Sequence, residues 1–328
     1  MNIMLFNDVC LFQENYTIIY GQYQWKDAYK GNHWRLGGPD YNWKPSIENI
    51  EELDFSLTHA HETPDFYIKI RNKINNINEI TFKVKGGKVI IKNISLYFPF
   101  ENCELSLNNE SAIISTMCKD YSSRLEEWIQ YNLKLGFSGI VIFDNDENKN
   151  NELNESLEYH QNNNISISDI CKKYKGKVHY VKFNYKPLPG NHWNFHQRIS
   201  LHIGINAFRN KCGKIALIDA DEFIHIPNKS NIMDFLADYK GQTITIQSNI
   251  LTNKSDNDII NNNILDLCVY VGENKYTKTI IDTSQIQPLE FIMTPHNHPT
   301  QIPLLEKDKI IHYHCWVNSR YKYNKYMK

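Results

Sequence analysis

Ile215-Ala-Leu-Ile-Asp-Ala-Asp-Glu-Phe-Ile-His-Ile-Pro227 sets four apolar residues directly before three acids, Asp219, Asp221 and Glu222. Carboxylates are costly to bury unless paired, so an apolar run ending in acids predicts a core strand whose carboxyl end meets something cationic. Along a strand, residues two apart project to one face. Asp219 and Asp221 then point into the same space. Two carboxylates so placed suit Mn²⁺ or Mg²⁺, hard ions that share their shell with substrate phosphates. A solvated strand end or a helix N-cap accommodates the same acids, and the motif alone leaves that reading open.

Outward from this stretch the pattern alternates strands and helices. Ala112–Met117 reads as a short strand. Ser123-Arg-Leu-Glu126 is a capping box, after which Leu125, Trp128, Ile129 and Leu133 recur at helical spacing until Gly136. Gly139–Phe143 is a second strand running into Asp144-Asn-Asp146, and Lys177–Phe183 a third. Segment 145–165, rich in Asn and Glu, reads as a solvated loop. Phe195–Asn210 reads as a helix that Lys211-Cys-Gly213 ends. This order predicts a mostly parallel sheet with helices on both faces, and in such sheets ligands sit beyond the carboxyl ends of the strands. Three ends carry polar groups there: Lys119-Asp120, Asp144-Asn-Asp146 and Asp219-Ala-Asp221.

Residues 1–108 read differently. Thr81–Lys85 and Lys88–Lys92 flank Gly86-Gly87, a hairpin signal, and the region is expected to be a β-rich accessory part beside a second domain over 109–328. Segment 21–44, rich in Gly, Trp, Tyr and Asp, is either a sugar-contacting loop or irregular packing of that β-layer.

The chain has 328 residues, ample for a buried core. Lys plus Arg total 36 against 37 acids, a formal net charge of -1. That balance excludes the basic footprint of a dedicated nucleic-acid binder. The seven cysteines form no CxxC pair, so neither a zinc knuckle nor a disulfide framework is expected, and reduced thiols in a cytoplasmic setting are. No apolar stretch approaches the roughly 20 residues that span a bilayer. Met1–Phe6 meets polar and acidic residues at once, so no secretory leader is expected. The sequence stops inside a Tyr/Lys-rich run, and the natural chain is expected to continue.

Two chemistries use an apolar strand ending in DxD. A phosphohydrolase of the haloacid dehalogenase type takes the first Asp as nucleophile, but wants Thr or Val two positions after the second, where Phe223 stands. Glycosyl transfer from a nucleotide sugar instead uses the acids to hold a metal that neutralises a diphosphate leaving group.

Four stretches together resemble the GT-A glycosyltransferases, and more closely the family 92-like and family 2-like groups with a DxDEF motif. Cys118–Asn132 with Leu135-Gly136 is similar to the opening "KNE…L.EW…H…G"; Ile142-Phe-Asp-Asn145 resembles the "YDN" strand end; Ile218–Phe223 resembles "DxDEF"; Ile311–Lys325 resembles the terminal "HY…S…K". The resemblance covers roughly 112 to 328 and omits the first hundred residues. Asp120-Tyr121 replaces the usual Asn-Glu, and Asn132 stands where His is common.

The resemblance implies roles. Cys118 and Lys119 would dock the nucleotide base, and Asp144 would bind base or ribose. Asp219 would face ribose or metal-bound water, Asp221 would bind Mn²⁺ or Mg²⁺, and His312 would be the third protein ligand. His314 projects to the same side of a strand, and His312 is preferred. Lys278 and His296 (with His298 as rival) would lie near phosphate or sugar. Gln197 and Arg198 would reach the donor from the helix before the motif, or form a solvated helix face. Glu222 either holds a neighbouring cation or serves near the sugar, where an inverting enzyme needs a general base. The tail 320–328 is either a lid carrying Lys322 or Lys325 or a frayed end. The fold expected is α/β, GT-A and Rossmann-like. The activity expected is metal-dependent transfer of a hexose, galactose before glucose, from a UDP-sugar to a glycan acceptor. The rivals are a DxD phosphohydrolase and a non-catalytic carbohydrate-binding protein on a decayed transferase fold.

Overall fold

A computed structural model of the chain describes residues 2–24, 45–57, 64–84, 87–119, 122–146, 166–253, 268–289 and 304–316. They divide into two units, Met1–Cys103 with Val181–Ile203, and Glu104–Tyr180 with Gly204–Lys328. The division expected after residue 108 thus falls after Cys103, and Val181–Ile203 groups with the first unit.

The first unit holds β1 (Ile3–Leu5), β2 (Leu11–Gln13), β3 (Tyr16–Tyr23), β4 (Pro45–Ile47), β5 (Leu53–Leu57), β6 (Asp65–Arg71), β7 (Asn76–Val84) and β8 (Gly87–Ser95). One antiparallel sheet runs β1-β3-β6-β5 with β2 on β3, and a second runs β4-β7-β8. Val84 pairs with Gly87 where β7 turns into β8, the hairpin that the glycine pair and flanking β-formers predict. Ile19, Phe66 and Ile68 of the first sheet share a buried cluster with Ile77, Ile80 and Phe82 of the second. The unit is a two-layered β arrangement.

The second unit begins with β9 (Ala112–Cys118), α1 (Ser122–Leu135), β10 (Gly139–Asp144), α2 (Ile167–Lys172), β11 (Val178–Lys182) and α3 (Asn194–Phe208), the last two crossing the unit boundaries. It continues with β12 (Lys214–Leu217), β13 (Glu222–His225), α4 (Ile232–Leu236), β14 (Ile244–Asn253), β15 (Cys268–Asp282), β16 (Leu304–Leu305) and β17 (Ile311–Trp316). Among the described residues these strands form one sheet in the order β11-β10-β9-β12-β15-β14-β17-β13, with β16 beside β14.

β9 lies parallel to both β10 and β12, as the alternating pattern predicts. Beyond β12 the expectation of a mostly parallel sheet fails. β15 pairs antiparallel with β12 and with β14, and β13 pairs antiparallel with β17, while β14 runs parallel to β17 and β16. The protein is mixed α/β with a large mixed sheet and few helices. The cause is β15: fifteen residues of strand insert between the β12 edge and the later strands.

Alternation along the strands separates two faces. Ile114, Ile142 and Ala216 join one cluster with Leu125 and Trp128 of α1, Ile170 of α2 and Phe235 of α4. Ser115 and Phe143 face the other way, onto α3 at Gly204, where an added Cβ would come 2.4 Å from Ser115 Oγ and 3.3 Å from Phe143 Cε2. Only glycine allows that helix to approach the sheet so closely. Among the described residues no helix is long and apolar enough to cross a membrane.

Candidate active site

β9, β10 and β12 are adjacent and parallel, so their carboxyl ends lie along one edge. Cys118 closes β9 and Asp144 closes β10, directly opposite each other in the ladder. Both are buried, while Lys119 next to Cys118 is exposed. The Tyr180 hydroxyl donates to Asp144 Oδ2 at 2.9 Å, and the Asp146 amide to Asp144 Oδ1 at 2.9 Å. Burial, followed by the charges of Asp144, Cys171, Asp146 and Asp221, pushes the Cys118 thiol well above its ordinary value. Asp144 closes β10 and Asp221 stands in the segment that follows β12, so both lie toward the edge at which β9 ends. Burial, then Asp144, likewise pushes the Tyr180 hydroxyl up.

The acids of the opening stretch do not continue a strand. β12 ends at Leu217 and β13 begins at Glu222. Between them the Glu222 amide donates to the Asp219 carbonyl at 3.0 Å, which closes Asp219–Glu222 as a turn. The side-chain alternation expected for Asp219 and Asp221 therefore does not apply. Asp221 is half-buried at the corner of the turn.

Asp219 and Glu222, at the two ends of the turn, share one cation. Lys278 of β15 places Nζ 2.6 Å from Asp219 Oδ2 and 3.1 Å from Glu222 Oε2. The side chains of Lys278 and Glu222 are each 1 % exposed, that of Asp219 30 %. Burial works against the lysine charge, but Asp219 and Glu222 outweigh it and hold the ammonium above its ordinary value. Glu222 Oε2 also accepts from the Asp219 amide at 2.9 Å. Its Oε1 lies 3.8 Å from Nδ1 of His312, which is fully buried in β17 opposite Ile224 of β13 and Ser248 of β14. His314 stands opposite Glu222 in the ladder, and its side chain lies outside the described set.

These donors do not form a ready-made cage for a hard divalent ion. The three-residue shell of Asp219, Asp221 and His312 is not assembled: Asp219 is held by Lys278, and His312 stands against Glu222. Among the described residues no three His, Cys, Asp or Glu side chains gather as a metal-holding group. Asp221 alone still fits, because such ions accept one or two carboxylates completed by substrate phosphates and water.

The remaining candidates separate. Lys278 joins Asp219 and Glu222, but it lies beneath the turn at 1 % exposure and is shut off from solvent phosphate. Gln197 and Arg198 are half-buried in the part of α3 counted with the first unit, where Arg198 lies over the Phe195 ring. His296, with His298, and the tail 320–328 lie outside the described residues, as does most of segment 21–44.

Two contributors escaped the sequence. Tyr180 carries no motif, and only the pairing of β11 with β10 brings it to Asp144. Trp128 belongs to the core as its helical spacing implies, yet its Nε1 also donates to the Glu222 carbonyl at 2.7 Å. A buried indole N–H generally finds an acceptor, so a polar role for Trp128 was foreseeable though its partner was not. No protein-family model matches the chain, and no curated protein matches it either.

Proposed function

We propose that this chain is a GT-A-type, Rossmann-like glycosyltransferase that moves a hexose from a UDP-sugar to a glycan acceptor in the cytoplasm. What supports the reading is the edge where β10, β9 and β12 end. There Asp144 closes β10 and Asp221 stands in the turn that follows β12, an arrangement suited to a donor with its nucleoside at one strand end and its diphosphate at another. The Asp144 carboxylate, held by the Tyr180 hydroxyl and the Asp146 amide, is preset to accept hydrogen bonds from base or ribose. Asp221 would hold Mn²⁺ or Mg²⁺ together with the donor's diphosphate, and the ion, when bound, neutralises the leaving group. UDP-galactose is the first donor to try and UDP-glucose the second, with inversion at the transferred carbon.

A phosphohydrolase with Asp219 as nucleophile draws on one specific contact, the Lys278 ammonium 2.6 Å from Asp219 Oδ2. The two readings part in a single set of assays. UDP with Mn²⁺ at about 100 times its Kd should raise stability by about 2.7 kcal/mol, and a screen of UDP-sugars should release UDP from one of them. Asp221→Ala should abolish that release and leave the far-ultraviolet circular dichroism unchanged. Absence of any UDP-induced shift with metal would sink the transferase reading. Phosphate release from generic esters, lost in Asp219→Asn, would establish the rival.

A further inference from the structure

The acid left without an assignment, Glu222, and the lysine beneath it are explained together, on the premise that the turn serves a nucleotide-sugar donor. We infer that Glu222 and Lys278 are positioning residues, a buried brace that sets the Asp219–Glu222 turn and so presents Asp221 to the donor diphosphate.

The turn is closed in both directions. The Glu222 amide donates to the Asp219 carbonyl at 3.0 Å, and the Asp219 amide donates back to Glu222 Oε2 at 2.9 Å. The Lys278 ammonium ties the same two residues together through their carboxylates, at 2.6 and 3.1 Å. From α1 the Trp128 indole fixes the Glu222 carbonyl at 2.7 Å. First and last residues of the turn are therefore held from strand, helix and backbone at once, and Asp221 at its corner inherits that geometry.

Neither brace residue can meet a substrate, since both side chains are 1 % exposed. That removes Glu222 from the candidates for the base that deprotonates the acceptor. Stability alone is a poor account of the arrangement, because buried ion pairs are often replaced by apolar residues of similar volume without loss. A polar brace attached to the acidic turn is better accounted for by the orientation it imposes, as groups behind a metal ligand generally do. The strand that supplies Lys278 shifts register beside it. Two steps along β14, from Ile246 to Ser248, correspond to four along β15, from Lys278 to Asn274, a bulge of the kind that re-aims a side chain.

Glu222→Gln is the central variant, because it preserves size and leaves an oxygen to accept from the Asp219 amide. Three quantities are measured on the full chain: UDP affinity with Mn²⁺, kinetics of donor turnover, and amide hydrogen exchange of the peptide 215–225. A positioning role predicts UDP affinity lower by about tenfold or more, a raised donor KM, a pH profile of unchanged shape, and faster exchange confined to the turn. Lys278→Met should act in the same direction. Combining the two should cost less than the sum of the singles, because both act on one turn.

Loss of kcat with the acidic limb of the pH profile, at unchanged UDP affinity, would make Glu222 the base and overturn the brace. A lower unfolding midpoint with unchanged UDP affinity and turn exchange would reduce the pair to a structural one, which also overturns it. Wild-type protein that binds no UDP with Mn²⁺ overturns the donor reading and the positioning role with it. Wild-type affinity that survives both substitutions overturns the brace alone.

Discussion

Trp128 shows how a single side chain links core and site. It is fully buried in the cluster between α1 and the sheet, and its N–H satisfies the carbonyl of Glu222 at 2.7 Å. Trp128→Phe keeps most of the apolar contact but leaves that buried carbonyl without its donor. Such a loss costs about 1–3 kcal/mol, which chemical denaturation should show as a lower midpoint at unchanged slope. UDP affinity should fall as well, since the carbonyl belongs to the turn. Asp219, Asp221 and Glu222 were conspicuous in the sequence because three acids follow an apolar run. Their division of labour was not, because it depends on Lys278, fifty-nine positions along the chain from Asp219.

At the scale of elements, the close packing of α3 on the sheet can be tested at Gly204. An added Cβ would stand 2.4 Å from Ser115 Oγ, nearer than real contacts allow. Gly204→Ala should therefore destabilise by about 1–3 kcal/mol, the usual range for overpacking. Ser115→Ala should recover part of that loss in the double variant, because the remaining neighbours, Phe143 Cε2 at 3.3 Å and the Cβ of residue 115 at 3.4 Å, are far less close than the hydroxyl. Calorimetric midpoints of the two singles and the double decide it, and strictly additive effects would show that the contact is not the cause. The strands β7 to β12, with α1 and α3, were readable because each has its own periodicity or stop signal, as Gly136 after α1 with φ 105° illustrates; β1 to β6 and α2 were not read. Nor was β15, since its pairing with β12 and β14 joins segments with no local signal of direction.

For the whole molecule, the buried His202 and the half-buried His179 set an acid limit. Burial, with Arg198 adding to it, depresses His202 from 6.5 to about 3, and burial with Lys211 depresses His179 to about 4. In the unfolded chain both protonate near 6.5, so below that value the unfolded state takes up protons that the folded state refuses. Stability should be level above about pH 6.5 and fall as pH drops toward 4, by up to about 1.4 kcal/mol per pH unit for each histidine. Urea midpoints measured from pH 7.5 to 4.5 should show this decline, and His202→Gln should make it shallower. An unchanged slope in that variant would remove His202 from the account.

By itself the sequence determined local elements: the hairpin of β7 and β8, the strands β9 to β12 with α1 and α3, and the acidic edge where those strands end. Each follows from side-chain period, turn residues and the cost of burying charge, which are properties of neighbours in the chain. Only the tertiary structure decided that the sheet is mixed, that the three acids form a turn instead of a strand, and which of them Lys278 takes. Those outcomes rest on contacts between residues far apart in sequence, where backbone pairing and the need to neutralise buried carboxylates select partners that no short stretch encodes.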